Sequence, residues 1–120
     1  CIKLPVSAPF HCAMMAPAAD VMEKSLGDVD LVRPLVPVMA NVTAAPAENP
    51  DDIRRLLIEQ VTALVRWRES VLAMRDAGVD TLVELGAGKV LTGLTKRIDR
   101  EITSMNVETP ADVEAVLKTF

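Results

Sequence analysis

Thr81-Leu82-Val83-Glu84-Leu85-Gly86-Ala87-Gly88-Lys89, running on into Val90-Leu91-Thr92-Gly93-Leu94-Thr95-Lys96-Arg97-Ile98, is the stretch on which the fold turns. Thr81–Leu85 is a short aliphatic and β-branched run closed by glycine, the pattern of a strand. It leads without a linker into a turn of small residues. Beyond it, Leu91, Leu94 and Ile98 recur at helical spacing. A second strand is expected over 102–107, and Pro110 opens a final helix to about Leu117. Parallel neighbours need a crossover, usually a helix, so strand–helix–strand–helix in this order indicates an α/β fold with a partly parallel sheet flanked by helices.

Upstream, the prolines divide the chain unevenly. Seven of the eight, from Pro5 to Pro50, lie in the first fifty residues. Residues 1–12 therefore read as irregular or extended, because each proline removes a donor and pushes its predecessor out of the helical region. Residues 14–26 approach helical periodicity, with Gly27 as the stop. Val36–Val42 reads as a short edge strand containing Pro37, and 44–50 as a polar, proline-rich loop. Asn49-Pro50-Asp51-Asp52 is a helix start with Asn49 as cap. That helix carries Ile53, Leu56, Leu57, Gln60, Val61 and Leu64 on one face, and another follows from Trp67 to Ala77, closed by Gly78.

Composition narrows the function. In 120 residues, half are hydrophobic but only 2% aromatic, so the core is built from aliphatic side chains, as in helix-covered parallel sheets. A net charge of −4 argues against general nucleic-acid binding. The apolar runs are too short to span a bilayer, and no secretion signal opens the chain. Two cysteines and one histidine make neither a disulfide framework nor a zinc site, so no metal is expected. A cytoplasmic, reducing compartment is the simplest reading. The first residue is Cys1 and not Met, so further sequence is expected upstream.

His11 is the single histidine, in a segment that cannot be regular helix. Imidazole is the usual general base near neutral pH, although a lone histidine is more often an ordinary surface or core residue. No nucleophile accompanies it. None of Ser7, Ser25, Ser70 and Ser104 lies in a G-x-S-x-G elbow. Cys12 adjoins His11, but neighbours in an extended chain point to opposite sides. Gly86-Ala87-Gly88-Lys89 sits where a phosphate cradle would, yet it matches neither the dinucleotide fingerprint nor the P-loop. The plainer reading is a tight turn that requires small residues. Lys89, Lys96 and Arg97 form a small basic group around the following helix, either a solvated face or a contact for an anionic partner.

Several segments together resemble one family. Leu4-Pro5-Val6-Ser7-Ala8-Pro9-Phe10-His11-Cys12, with Met15, Pro17, Ala18 and Ala19 behind it, resembles the histidine segment of malonyl-CoA:acyl carrier protein transacylases. Pro37-Val38 with Asn41-Val42 resembles the strand that follows there. Gln60, Val65-Arg66-Trp67 and Ser70-Val71 are similar to its long helical region, and Glu84 to Leu94 to its closing glycine motif. The sequence departs from the family in two turns: Ala87 stands where proline is common, and Ala63-Leu64 replaces a frequent Asn-Pro.

The resemblance implies an α/β-hydrolase-like acyltransferase core, with residues 1–120 as the C-terminal portion of its large subdomain. The nucleophile region and most of a small ferredoxin-like subdomain would lie upstream. It implies ping-pong transfer of malonyl from coenzyme A to the thiol of acyl carrier protein in fatty acid synthesis, without a resident cofactor. His11 would be the base, and the backbone carbonyl of Gln60 would accept the other imidazole proton. The serine, the arginine that pairs with the malonyl carboxylate and an oxyanion glutamine belong to the upstream part, so this chain by itself is expected to be inactive. Two alternatives remain open: the equivalent portion of a polyketide or fatty acid synthase domain, and a non-catalytic fragment that binds carrier protein through Lys89, Lys96 and Arg97.

Overall fold

A parallel strand pair joined through a helix is found where the sequence places it. The structure, a computed structural model, describes residues 9–120; the start of the histidine segment, with Cys1, Pro5 and Ser7, lies outside the described residues. The chain divides into two units, one ending at Ser70 and the other running from Val71 to Phe120, and the division falls within a helix.

In the first unit, a 3-10 turn at Ala13–Met15 leads into α1 (Ala16–Gly27). β1 (Val38–Ala40) and β2 (Ala45–Ala47) pair antiparallel, with Met39 opposite Pro46. α2 (Pro50–Glu59) follows, and α3 begins at Trp67 and ends at Asp76. Asn49 caps α2 as its side chain suggests: its oxygen accepts from the backbone N–H of Asp51 (2.9 Å) and of Asp52 (3.2 Å). α1 packs on α2. Arg54 of α2 donates to the carbonyls of Leu26 (3.0 Å) and Val29 (2.8 Å), at and just beyond the end of α1. The Leu26 carbonyl also accepts from Val29 N–H (3.3 Å), so the guanidinium adds to that turn while tying the end of α1 to the first half of α2.

Two expectations here need correction. The 44–50 loop contains β2, because Ala44 takes a left-handed turn (φ 50°) that folds the chain back onto β1. Pro46 is tolerated because in a two-stranded pair its missing N–H lies on an edge. Second, α2 stops at Glu59, so Val61 and Leu64 are not on its face. Val61 N–H donates to the Ile58 carbonyl and Thr62 N–H to that of Glu59, three-residue spacings that tighten and end the helix.

The second unit is the α/β element. α3 closes in a left-handed glycine: Gly78 has φ 91°, its N–H meets the Arg75 carbonyl, and Val79 N–H reaches back to Met74. β3 (Thr81–Leu85) and β4 (Thr103–Val107) pair in parallel, from Thr81 opposite Thr103 to Leu85 opposite Val107. The crossover helix α4 (Val90–Ile98) packs on both strands. α5 (Pro110–Leu117) packs on β4 and starts in a reciprocal capping box between Thr109 and Asp112. Among the described residues the buried hydrophobic side chains are Leu56, Val71 and Ile102, whereas Leu35, Leu85, Val90 and Phe120 stand exposed. No described helix is long and apolar enough to cross a membrane.

Candidate active site

His11 sits in the corner between Pro9 and the 3-10 turn, with a φ of 55°. A non-glycine residue in that left-handed region costs roughly 1–2 kcal/mol. The corner is held locally: the Cys12 thiol donates to the Pro9 carbonyl (3.2 Å), and Met15 N–H donates to that of Cys12 (2.9 Å).

The imidazole Nδ1 lies 3.1 Å from the backbone carbonyl oxygen of Gln60, 49 residues along the chain. A carbonyl only accepts, so Nδ1 is the protonated nitrogen, and in the neutral ring Nε2 is left as a bare acceptor. Gln60 is the C-cap of α2, just beyond its last residue, and its carbonyl is one of those the helix leaves without a donor. The negative end of the helix dipole therefore meets a ring that becomes cationic when it takes a proton. A neutral hydrogen bond contributes only about 0.5–1.5 kcal/mol, so it does not outweigh the backbone strain alone. The local corner must hold the ring as well. The long separation is bridged because α1 and α2 run antiparallel. His11, just before α1, comes to the end of α2, while Arg54 ties the other end of α1 nearer the start of α2.

The other candidates fall elsewhere. Ser70 is buried and its hydroxyl donates to the Arg66 carbonyl (2.9 Å), and among the described residues no serine hydroxyl bonds to His11. No group of three His, Cys, Asp or Glu among the described residues is placed to hold a metal ion.

The glycine turn has the backbone of an anion cradle, with Gly86 at φ 126° and Gly88 at φ 91°, but its helix end is already occupied. The Glu84 carboxylate accepts from Thr92 Oγ1 (2.7 Å), Thr92 N–H (2.8 Å) and Leu91 N–H (3.1 Å). These bonds, the hydroxyl of Thr92 first, hold the Glu84 carboxyl below the usual glutamate range. Asn106 donates its amide to the carbonyls of Gly86 and Gly88, closing the turn from β4. A Cβ at either glycine would meet open space, so the requirement there is conformational. The basic group also separates: Lys89 precedes the first turn of α4, while Lys96 and Arg97 lie in its last, about 10 Å away by helical rise.

Sequence reasoning missed Asn41. Its side-chain oxygen accepts from Arg66 N–H (2.8 Å) and its amide donates to the Leu64 carbonyl (3.1 Å). An amide side chain beside a hairpin turn carries no local signal that separates such a bridge from a solvated turn residue.

One unit holds a parallel strand–helix–strand element and the other a strained histidine on a distant backbone carbonyl. Solved structures of matching fold include acyltransferases, which puts the chain in the α/β acyltransferase class. No protein-family model matches the chain. The malonyl CoA-acyl carrier protein transacylase of Escherichia coli (strain K12) is 44% identical over 117 residues, covering 98% of this chain and 38% of the relative. The acyl-carrier-protein-S-malonyltransferase of Bartonella henselae superposes with a TM-score of 0.88 at 48% identity, over 97% of this chain and 37% of that one. A type II PKS acyl-carrier protein in complex with its malonyl-transacylase gives a TM-score of 0.85 at 39% identity, over 98% of this chain and 38% of the matched chain. Nearly all of this chain is therefore homologous to malonyl CoA-acyl carrier protein transacylases, and it spans 38% of the length of the Escherichia coli relative.

Proposed function

We propose that this chain is the base-bearing, C-terminal portion of an acyltransferase large subdomain, which moves malonyl from coenzyme A to the thiol of acyl carrier protein in the cytoplasm. The observation that carries the reading is the Nδ1 contact of His11 with the Gln60 carbonyl, in a chain homologous to malonyl transacylases. His11 Nε2 takes the proton of a serine hydroxyl as that oxygen attacks the malonyl thioester carbonyl. The C–S bond breaks, and the coenzyme A sulfur leaves with that proton, so the acyl group rests on serine as an ester. In the second half, Nε2 takes the proton of the phosphopantetheine thiol. The sulfur attacks the ester, and the serine oxygen leaves and recovers the proton. Gln60 keeps Nδ1 protonated throughout, so one ring nitrogen serves both halves.

The serine has to come from sequence outside these 120 residues, which contain no G-x-S-x-G elbow. The chain alone is therefore expected to transfer nothing, and its exposed Leu35, Leu85, Val90 and Phe120 are expected to make it associate or melt without cooperativity. The test is incubation with malonyl-CoA and holo acyl carrier protein, read by mass spectrometry, for the chain alone and for a longer protein that includes the serine elbow. Malonylated carrier is expected only with the longer protein. Time-dependent transfer by the 120 residues alone would overturn the reading, as would none by the longer protein.

A further inference from the structure

Gln60 ends its helix, so the direction of its carbonyl depends on the path of the chain just after it. We propose that Asn41, braced by Arg66, is a positioning residue for the base: it fixes residues 61–66 and so aims the Gln60 carbonyl at His11 Nδ1. The inference rests on the reading of His11 as the base and adds a residue to it.

Two bonds from one side chain grip the segment. Asn41 Oδ1 takes the N–H of Arg66 at 2.8 Å, and Asn41 Nδ2 donates to the Leu64 carbonyl at 3.1 Å. Arg66 returns the grip, donating from Nη1 to the carbonyls of Val42 and Thr43, each at 3.2 Å. The hairpin turn and the segment after α2 thus hold each other through four bonds. At the far end of that segment the Arg66 carbonyl is held by the N–H and hydroxyl of Ser70, each at 2.9 Å. Next to Gln60 there are only turn contacts to Ile58 and Glu59, from Val61 N–H (3.2 Å), Thr62 N–H (3.3 Å) and the Thr62 hydroxyl (3.4 Å), toward the long end of the range. Asn41 and Gln60 also line the same shallow cavity of about 100 Å³, with Ile53, Leu56 and Leu57. Losing the amide leaves an N–H and a carbonyl of the segment unpaired, and the segment then has a reason to move toward water.

The experiment uses the longer protein, with Asn41→Ala, His11→Ala and the double variant, and a ¹⁵N NMR spectrum of the His11 ring identified by its loss in His11→Ala. With the ring neutral, the Nδ1–H form dominates in the unsubstituted protein, and Asn41→Ala is expected to shift the His11 nitrogens toward a mixture of both tautomers. The variant's kcat is expected to fall about 10–100-fold, as a misplaced base would. KM for malonyl-CoA should stay within about twofold, and Asn41→Ala should cost less than about threefold when His11 is already alanine. The ring spectrum decides: a shift in folded Asn41→Ala supports the aiming of the Gln60 carbonyl by Asn41, and an unchanged spectrum overturns it. Wild-type turnover in His11→Ala is the separate result that ends the transferase reading. Should Asn41→Ala not fold, Arg66→Ala carries the same comparison, since it deletes the bonds to Val42 and Thr43 and keeps both bonds of Asn41.

Discussion

The two units use their polar groups in opposite ways. Around the glycine turn, the Glu84 carboxylate and the Asn106 amide are spent on neighbouring backbone, and the helix end that would attract an anion is filled from within. At His11, one ring nitrogen is spent on Gln60 and the other has no partner among the described residues, on a residue held in a costly backbone conformation. The motif that looks more like a binding site in sequence is the saturated one. Under the proposed function, chemistry belongs at the exposed ring of the proline-rich corner and not at the saturated turn.

The contrast is broken most directly by substitution at each centre. His11→Ala in the longer protein is expected to lower malonyl transfer by about 10²–10⁴, the usual cost of losing a general base, with melting nearly unchanged because the ring is exposed. Turnover per folded molecule is the quantity to measure, and wild-type turnover would end the assignment.

A smaller effect separates backbone from side chain at the acceptor. Gln60→Ala keeps the carbonyl and is expected to cost less than about threefold in kcat, whereas Thr62→Pro deletes the turn bond to Glu59 and should cost about tenfold or more. Because α2 has already ended there, the proline acts on the turn and not on a helix interior. Equal losses in stopped-flow turnover would mean that the carbonyl's direction is irrelevant.

The smallest effect belongs to the glycine turn and concerns stability. Glu84 has its folded-state proton affinity lowered, first by the Thr92 hydroxyl and then by backbone N–H groups. Its contribution is therefore fully present above the ordinary glutamate pKa of about 4.3 and is lost as pH falls through the lower folded value. Asp99 and Asp112 shift in the same direction, chiefly through the N–H of Glu101 and the hydroxyl of Thr109 respectively. Glu84→Gln should lower Tm modestly at neutral pH, and the gap should close as the pH falls through the lowered folded value, with turnover per folded molecule unchanged. A Tm gap that persists in acid would show that shape and not charge is at work.

Periodicity and punctuation made most of the elements legible. The strand at Thr81–Leu85, its crossover helix and the Asn49 cap follow from residues that act within a few positions of themselves. β2 escaped because its three residues, Ala-Pro-Ala, carry no strand preference, and the left-handed Ala44 that makes the hairpin is not a glycine. The length of α2 was overread because Val61 and Leu64 continue the apolar spacing past the point where the backbone turns. The pairing of His11 with Gln60 was available only through the family resemblance. Nothing local marks a backbone carbonyl as an acceptor, and the contact depends on the antiparallel packing of two helices. Asn41 and Glu84 lay beyond reach for the same reason: their partners are 23 and 25 residues away for one, and across a turn for the other.

Whether His11 can serve as the base depends on which of its ring nitrogens carries the proton. A ¹⁵N spectrum of the unsubstituted longer protein, taken with the ring neutral, is predicted to show the His11 ring protonated at Nδ1 and bare at Nε2. A ring protonated at Nε2 would have no acceptor free for a serine or a thiol, and would contradict that role.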